Sequence, residues 1–299
     1  MRYLSFSPPG ETSIHLGILG KGDRVTDLVA VEDHPGDFQA FLETNPNRWQ
    51  PNDQSTLSWQ LDEIKIHTPL ARPNTLRDFY AFEEHVATAH ANRGRQMPKE
   101  WYEVPVFYFS NPHAVYGPDE DVPMPSYTEA LDFELEVAAI IGKPGRDIKT
   151  EDALNHIFGF TIFNDWSARD VQRQEMKVGL GPAKGKDFAS SFGPYIITPD
   201  ELADRATDQS GVYDLEMIAR INDKEYSRGN WNTLHYSFGD MIARASEAVL
   251  LQPGDIIGSG TVGTGCLLEL TKGQGPWLQK GDVVELEIER LGVLRNVVS

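Results

Sequence analysis

Cysteine and positive charge are scarce in this sequence, and long apolar runs are absent from it. Cys266 is the only cysteine among 299 residues, which excludes an intramolecular disulfide framework and a zinc or iron–sulfur site built on several thiolates. Lys and Arg number 27 against 45 Asp and Glu, a formal net charge of −18 that disfavours nucleic-acid and acidic membrane partners. No stretch reaches the roughly 18 consecutive apolar residues of a membrane span, and the first residues lack the pattern of a secretory signal. We therefore expect a soluble, cytoplasmic protein.

The remaining composition is that of a globular protein, with 40% hydrophobic and 24% charged residues. At about 150 residues per domain, the length fits one or two domains. Residues 67–75 carry two prolines, which few helices or strands could run through. We predict a small β-rich N-terminal domain over residues 1–68 and a larger catalytic domain over 69–299.

Apolar alternation dominates the second domain and predicts strands at 133–141, 159–165, 195–199, 212–222 and 283–291. Helical spacing is confined to 151–157, after Thr150, and to 237–250, which opens on Ser237. Because regular strand–helix–strand alternation is missing, we predict a mainly β, α+β fold with a mixed, mostly antiparallel sheet.

Two glycine-rich segments imitate nucleotide-binding motifs. Gly258, Gly260 and Gly263 have the G-x-G-x-x-G spacing, but the following residues predict a strand and a turn, and too little chain remains for a nucleotide-binding half. Residues 181–187 resemble a phosphate loop, yet its first glycine would fall at Leu180, and no Ser or Thr follows the lysine. Neither motif predicts a nucleotide site.

The informative segment is the run Asp-Phe-Glu-Leu-Glu-Val at 132–137. Alternation along a strand places Glu134 and Glu136 on one face, with Cα atoms about 6.5–7 Å apart, so both carboxylates can converge on one cation. A solvated acidic face is the alternative. Asp165 ends the next strand beside Trp166, and a buried cluster of carboxylates needs a cation or protons. Oxygen-only ligands favour Mg²⁺, Mn²⁺ or Ca²⁺ over zinc.

These residues also form a larger pattern. The E-x-E strand is followed by N-D-W-S-A-R-D-x-Q at 164–172 and G-K-x-F at 185–188; L-R-D-F-Y at 76–80 precedes it, and S-G-T and L-E-L follow at 259–261 and 268–270. Together with His85, which follows Asp78-Phe79-Tyr80 in the spacing D-F-Y-x4-H, this order resembles the fumarylacetoacetate hydrolase family over roughly 70–295. The resemblance implies a mixed β-sandwich roll, usually a homodimer, with a smaller N-terminal β domain in some members.

Carried over position by position, the resemblance implies three groups of site residues. The metal ligands would be Asp78, Glu134, Glu136 and Asp165, with Mg²⁺ the expected ion and Mn²⁺ or Ca²⁺ as alternatives. The catalytic residues would be His85 with Glu269, which activate a water, and Lys186, Arg169 and Gln172, which stabilise the oxyanion and the leaving group. The substrate contacts would be Tyr80, Arg93, Tyr108 and Thr261.

Several of these residues have plain structural interpretations when taken alone. A histidine in the segment 80–90 could lie on the surface of a helix, and Glu269 could face solvent from a strand. Arg169 could form a structural ion pair with Asp170. The sequence also departs from fumarylacetoacetate hydrolases where Met176 replaces a substrate-holding tyrosine, which leaves the metal site intact but the substrate open.

The chemistry these residues would support is cleavage of a carbon–carbon bond next to a ketone. A divalent cation stabilises the enolate of a β-diketone or 2,4-dioxo acid, a His–carboxylate pair delivers hydroxide, and cationic donors meet the oxyanion. We expect a hydrolase of an acylpyruvate-, fumarylpyruvate- or fumarylacetoacetate-like acid. A decarboxylase or isomerase of oxaloacetate or an aromatic-degradation intermediate is the alternative, and a non-enzymatic binding protein is the third. Candidates for the partner of the acid's anionic end are Arg93, Arg95, Arg173 and Lys186.

Overall fold

The computed structural model describes residues 1–28, 38–44 and 57–299 and shows a strand-rich α+β protein. The strands are β1 Arg2–Ser7, β2 His15–Leu19, β3 Arg24–Asp27, β4 Ser58–Gln60, β5 Lys65–His67, β6 Leu76–Phe79, β7 Phe107–Ser110, β8 Val115–Tyr116, β9 Asp121–Val122, β10 Leu131–Asp132, β11 Leu135–Ile141, β12 Ile157–Asp165, β13 Ser167–Ala168, β14 Ser190–Ile197, β15 Glu216–Ile221, β16 Lys224–Asn230, β17 Ile256–Gly258, β18 Val283–Ile288 and β19 Gly292–Val298. The α-helices are α1 Phe38–Glu43, α2 Glu83–Ala91, α3 Arg169–Glu175, α4 Phe238–Ser246 and α5 Leu267–Leu270. The predicted fold class is confirmed.

The main sheet runs in the order β4-β3-β2-β1-β14-β12-β11-β17-β6-β7, with β5 beside β1 and β8 beside β14. Its centre is antiparallel, whereas β17 and β6 pair in parallel. Strand β1 pairs directly with β14, in the register Arg2 opposite Ile197, so the N-terminal strands extend the same sheet. The division of the chain at residue 68 stays a prediction.

A second sheet, in the order β16-β15-β18-β19-β9, and a short β10–β13 ladder complete the architecture. Apolar residues that alternate along β11 divide between two cores. Leu135 and Val137 belong to the larger core, while Ala138 and Ile140 belong to a second core on the opposite face. Strand β11 is therefore buried on both faces, and a polar side chain in it lies inside the protein.

The predicted helices form, with shifted ends. Helix α4 begins after Ser237, whose hydroxyl accepts a hydrogen bond from the Asp240 backbone N–H in a capping box. It ends at Ser246, four residues before the predicted end. The segment after Thr150 forms a 3₁₀ helix over Thr150–His156. Among the described helices, none has the length and apolar content needed to cross a bilayer.

Candidate metal centre

Four acidic side chains that are distant in sequence meet at one end of the central strands. Asp78 lies on β6, Glu134 and Glu136 lie before and within β11, and Asp165 ends β12. Each is buried, and each offers an oxygen atom within 4.8 Å of the oxygens of the others. Both glutamates reach the same cluster, as their spacing predicts.

Strand β17 lies between β11 and β6, and Gly258 at its end and Gly260 just after it allow the carboxylates to meet. A Cβ on Gly258 would approach Asp78 Oδ1 to 2.5 Å, so only glycine leaves room for that carboxylate. Gly260 follows with φ +77°, a left-handed conformation that favours glycine. Its N–H donates to Asp78 Oδ1 at 3.1 Å and to Glu136 Oε2 at 3.0 Å. The glycine motif thus builds a carboxylate site instead of a nucleotide site.

Burial and mutual repulsion give this cluster unusual proton affinities. Burial raises the pKa of Asp78 well above its usual range, and the Asp165 carboxylate raises it further. Burial, followed by the neighbouring Asp78, likewise raises the pKa of Glu136, and burial raises the pKa of Asp165. Burial alone would raise the pKa of Glu134, but Lys186 and Arg169 together hold that pKa below its usual range. The cluster is therefore short of positive charge.

Lys186, Arg169 and the Tyr108 hydroxyl contact the cluster directly. Lys186 Nζ lies 2.5 Å from Glu134 Oε2 and 2.6 Å from Asp165 Oδ2. Arg169 Nη2 lies 2.8 Å from Glu134 Oε1, and the Tyr108 hydroxyl donates to Asp165. Asp170 instead accepts hydrogen bonds from the Thr128 hydroxyl and two backbone N–H groups. The interpretation of Arg169–Asp170 as a structural ion pair was wrong.

The cluster fits a hard divalent cation. Asp165 Oδ1 is buried and has no hydrogen-bond partner among the described residues, which is costly unless a cation or water satisfies it. The donor set consists of carboxylate oxygens alone, the type that Mg²⁺, Mn²⁺ and Ca²⁺ prefer. Asp78, Glu134, Glu136 and Asp165 would hold such an ion.

A second buried group lies beside this cluster. His85, on α2, has its Nδ1 2.7 Å from Glu269 Oε2 on α5, and both side chains are buried. Glu269 also accepts hydrogen bonds from the Thr264 N–H and the Cys266 thiol. The alternatives of a surface histidine and a solvent-facing Glu269 were therefore wrong, as was the predicted strand after Gly263, because residues 267–270 form α5.

Tyr80 lies beside His85, and Thr261 lies beside the metal cluster. The Tyr80 ring packs edge-on against His85, with centroids 5.3 Å apart, and burial raises the pKa of its hydroxyl, which also lies in the field of Glu134 and Glu269. Thr261 Oγ1 lies 3.4 Å from Glu136 Oε1. Both predicted substrate contacts thus lie at the site.

A cavity of about 370 Å³ opens beside Arg169 and Gln172. Among the described residues that line it, none is acidic, although acidic residues predominate in the chain as a whole. Six are cationic: Arg93, Arg95, Arg169, Arg173, Lys177 and Lys272. Three of the four predicted partners for an anionic end line this cavity, whereas Lys186 is occupied by the carboxylates. A larger cavity of about 760 Å³ near Tyr3 and Phe158 contains none of the site residues.

Sequence reasoning gave no role to Asp132 or to the Gly260 N–H. Asp132 is fully buried and accepts hydrogen bonds from Arg169 and from the first turn of α5. These contacts could not be predicted from the sequence around Asp132, because its partners on α5 lie about 135 residues further along the chain.

Comparisons with known proteins find similar sequences and similar structures. The C-terminal model of the fumarylacetoacetate (FAA) hydrolase family matches residues 74–299. The mitochondrial oxaloacetate tautomerase FAHD2A of Homo sapiens is 31% identical over 307 residues, covering 100% of this chain and 91% of that protein. A 5-carboxymethyl-2-hydroxymuconate delta-isomerase from Mycobacterium smegmatis superposes with a TM-score of 0.72 at 26% identity, covering 100% of this chain and 99% of the other. A fumarylacetoacetate hydrolase from Exiguobacterium antarcticum shares the fold, with a TM-score of 0.78 at 24% identity, 100% of this chain and 99% of that one being covered.

Proposed function

Because this chain belongs to the fumarylacetoacetate hydrolase family, we propose that it is a divalent-metal-dependent hydrolase that cleaves a carbon–carbon bond in a small 2,4-dioxo acid. The observation that carries this proposal is the pairing of two buried groups: a four-carboxylate cluster for a cation and, beside it, the His85–Glu269 pair. The cation would stabilise an enolate, and hydrolysis also needs a base for water, which the His85–Glu269 pair would supply.

The residues divide the chemistry between them. A bound divalent ion would supply Lewis-acid stabilisation to the oxygens of the oxo acid. Glu269 accepts the hydrogen bond of His85 Nδ1, which leaves Nε2 to take a proton from water. The resulting hydroxide adds to the carbonyl, the carbon–carbon bond breaks, and its electron pair leaves on the oxo-acid fragment, which a proton then quenches. Arg169 and Gln172 face the cavity as donors to the developing oxyanion.

The cationic cavity supports an anionic substrate. Six cationic side chains around about 370 Å³ would attract an acid in spite of the net charge of −18. We propose that the substrate carries a second carboxylate at the end remote from the dioxo group, which Arg93 and Arg173 would contact. Such a group distinguishes fumarylpyruvate-like acids from acylpyruvates with an apolar tail.

Keto–enol tautomerisation of an oxo diacid such as oxaloacetate is the second candidate. It is favoured by the 31% identity with the human oxaloacetate tautomerase over the full length of this chain. This reaction needs the same cation and the same enolate but adds no water to a carbonyl. His85 would then move a proton to or from carbon, and the carbon chain would stay intact.

A substrate panel with Mg²⁺ or Mn²⁺, repeated after chelation, tests the proposal. Loss of the enol absorbance of a dioxo acid, together with two shorter acids in the product, supports hydrolysis. The same absorbance loss with an intact carbon chain supports tautomerisation instead. Absence of both reactions while Mn²⁺ binds would refute an enzymatic role for this site. Glu136→Gln should lose turnover, and Glu285→Gln, a change on β18 in the other sheet, is the matched control.

The family resemblance also implies a homodimer, which we retain as a proposal. Strand β7 forms one edge of the main sheet, and Phe109 on it is 61% exposed. An exposed edge strand with an aromatic side chain is suited to contact with a second copy. Light scattering after size-exclusion chromatography would show about twice the 33.5 kDa chain mass; a monomer at micromolar concentration would contradict it. The cellular compartment stays a prediction.

A further inference from the structure

Asp132 is a fully buried carboxylate that belongs to neither the metal cluster nor the His85–Glu269 pair. Both of its oxygens are fully used. Oδ1 accepts from the N–H of Phe133 at 2.9 Å and of Leu267 at 2.8 Å. Oδ2 accepts from Arg169 Nε at 2.8 Å and from the Leu268 N–H at 3.0 Å. These contacts join three segments of the site.

Through its contact with Leu267 and Leu268, Asp132 caps α5, which has no cap from its own N-terminal residues. This helix has only four residues, and the side chain of its N-cap residue, Cys266, accepts no capping hydrogen bond from the helix N–H groups. The first N–H groups of a helix have no partner within it, and a helix this short has little stability of its own. Asp132 accepts both N–H groups from a distant part of the chain, and the negative charge suits a helix N-terminus. Glu269 lies in this same turn.

The contact with Arg169 connects the same carboxylate to the metal cluster. Strand β10, which carries Asp132, pairs with β13 immediately before Arg169. The guanidinium then extends from Asp132 to Glu134 Oε1 at 2.8 Å and to Gln172 Oε1 at 3.1 Å. Asp132 thus fixes one cation beside a metal ligand and one helix that carries the partner of His85.

We propose that Asp132 is a positioning residue. It holds Glu269 and Arg169 in fixed positions relative to each other, so that the His85–Glu269 pair and the metal cluster face the same substrate. The inference rests on the proposed function for its kinetic consequence, but not on whether the product is cleaved or tautomerised. Its structural consequence is independent of any activity.

Cys266 reports that structural consequence because it is the only cysteine in the chain, it is buried, and it adjoins the first turn of α5. Asp132→Asn replaces one carboxylate oxygen with an NH₂ group, which cannot accept the hydrogen bonds that Asp132 receives. The first turn of α5 should then lose part of its cap and open more often. A thiol reagent under native conditions should then label Cys266 at least about tenfold faster than in the wild type. Asp255→Asn is the matched control, since Asp255 is also a buried aspartate near an arginine, Arg77, and binds no part of α5. Equal labelling of both variants would refute the proposal.

Kinetics separate a positioning role from a general loss of stability. In Asp132→Asn we expect kcat to fall about 100-fold with Mn²⁺ affinity and KM changed less than about threefold, while Asp255→Asn keeps wild-type kcat. Combined with His85→Ala, the Asp132 change should cost less than the product of the two single effects, because the part of its effect that passes through Glu269 is already lost without His85. Multiplicative effects would overturn the inference. If the wild type itself shows no turnover, the proposed function fails while the labelling result still decides the role of Asp132.

Leu267→Pro provides a second variant if Asp132→Asn does not fold. Proline is tolerated at the first helical position, and Cys266 before it has the extended conformation that proline requires. The change removes one N–H donor to Asp132 and keeps the Asp132–Arg169 ion pair. Faster labelling of Cys266 with unchanged Mn²⁺ affinity is expected, and labelling at the wild-type rate would contradict the proposed cap.

Discussion

His85 Nδ1 lies 2.7 Å from Glu269 Oε2, although 184 residues separate the two in the chain. Helix α2 presents the histidine and the four-residue helix α5 presents the glutamate, and both side chains are buried. Because a carboxylate fixes one ring nitrogen, the other nitrogen is oriented for proton transfer. This pair is what distinguishes a site able to activate water from a site that only binds a cation.

We expect His85→Ala to lower kcat for hydrolysis about 10³-fold, the scale of a lost general base, and to leave Mn²⁺ affinity nearly unchanged. Stopped-flow loss of the enol absorbance and calorimetric Mn²⁺ titration measure the two quantities. His90→Ala, one turn further along α2, is the matched control and should keep wild-type kcat. Wild-type hydrolysis in the His85 variant would show that His85 is not the base that activates water.

Local pattern predicted the fold class and pointed to three of the clustered carboxylates, whereas Asp78 was implied only by the family resemblance. Alternation places Glu134 and Glu136 on one face, and a strand ending in Asp165 places a third carboxylate at the same edge. The role of Gly260 could not be predicted in this way. Its N–H reaches Glu136 across 124 residues, so the contact exists only once β17 lies beside β11.

The helix that carries Glu269 shows why local pattern failed elsewhere. Alternating leucines around Glu269 are typical of a strand, and a four-residue helix has almost no signal of its own. The segment becomes helical because Asp132 accepts the N–H groups of Leu267 and Leu268 from another part of the fold. Tertiary contacts decided the local structure here.

Without metal, the protein should lose stability as pH rises above the ordinary carboxyl pKa of about 4. The pKa values of Asp78 and Glu136 are raised in the folded state, chiefly by burial, so the folded protein keeps protons that the unfolded chain has released. Their contribution is therefore complete below the ordinary carboxyl pKa and declines as pH rises towards the raised values. Urea denaturation in chelator at several pH values measures the decline.

Addition of Mn²⁺ should reverse this loss, most strongly at the higher pH, because the cation binds the deprotonated carboxylates. Glu136→Gln, which cannot ionise at that position, should show a smaller decline with pH and weaker stabilisation by Mn²⁺. If the free energy of unfolding of the metal-free protein did not change with pH in this way, the raised pKa values of Asp78 and Glu136 would be contradicted.

Charge in the cavity should determine which acids bind. We expect Arg173→Gln combined with Lys272→Gln to raise KM for a dioxo diacid about tenfold with little change in kcat, since these residues line the outer cavity. KM for an acylpyruvate with an apolar tail should change much less. Lys280→Gln, an exposed lysine outside the cavity, is the control. Equal effects on both substrates would show that the cavity does not hold a second carboxylate.

Gly260→Ala should damage both the fold and the metal site. The φ of +77° is strained for alanine, and its Cβ would lie 2.5 Å from the Phe79 carbonyl oxygen, so the loop must shift. That shift moves the N–H that Asp78 and Glu136 share. We expect a loss of about 2–4 kcal/mol in the free energy of unfolding and Mn²⁺ binding about tenfold weaker or worse.

Gly22→Ala separates conformational strain from the loss of that contact. Gly22 has a similar φ of +66°, but no atom lies within 4 Å of the position its Cβ would take. This variant should lose only about 1 kcal/mol and bind Mn²⁺ as the wild type does. Calorimetric titration and urea denaturation of the two variants provide the comparison. If Gly260→Ala lost no more than Gly22→Ala in both measurements, the Gly260 N–H would have no part in holding the carboxylates together, and the cation alone would have to order them.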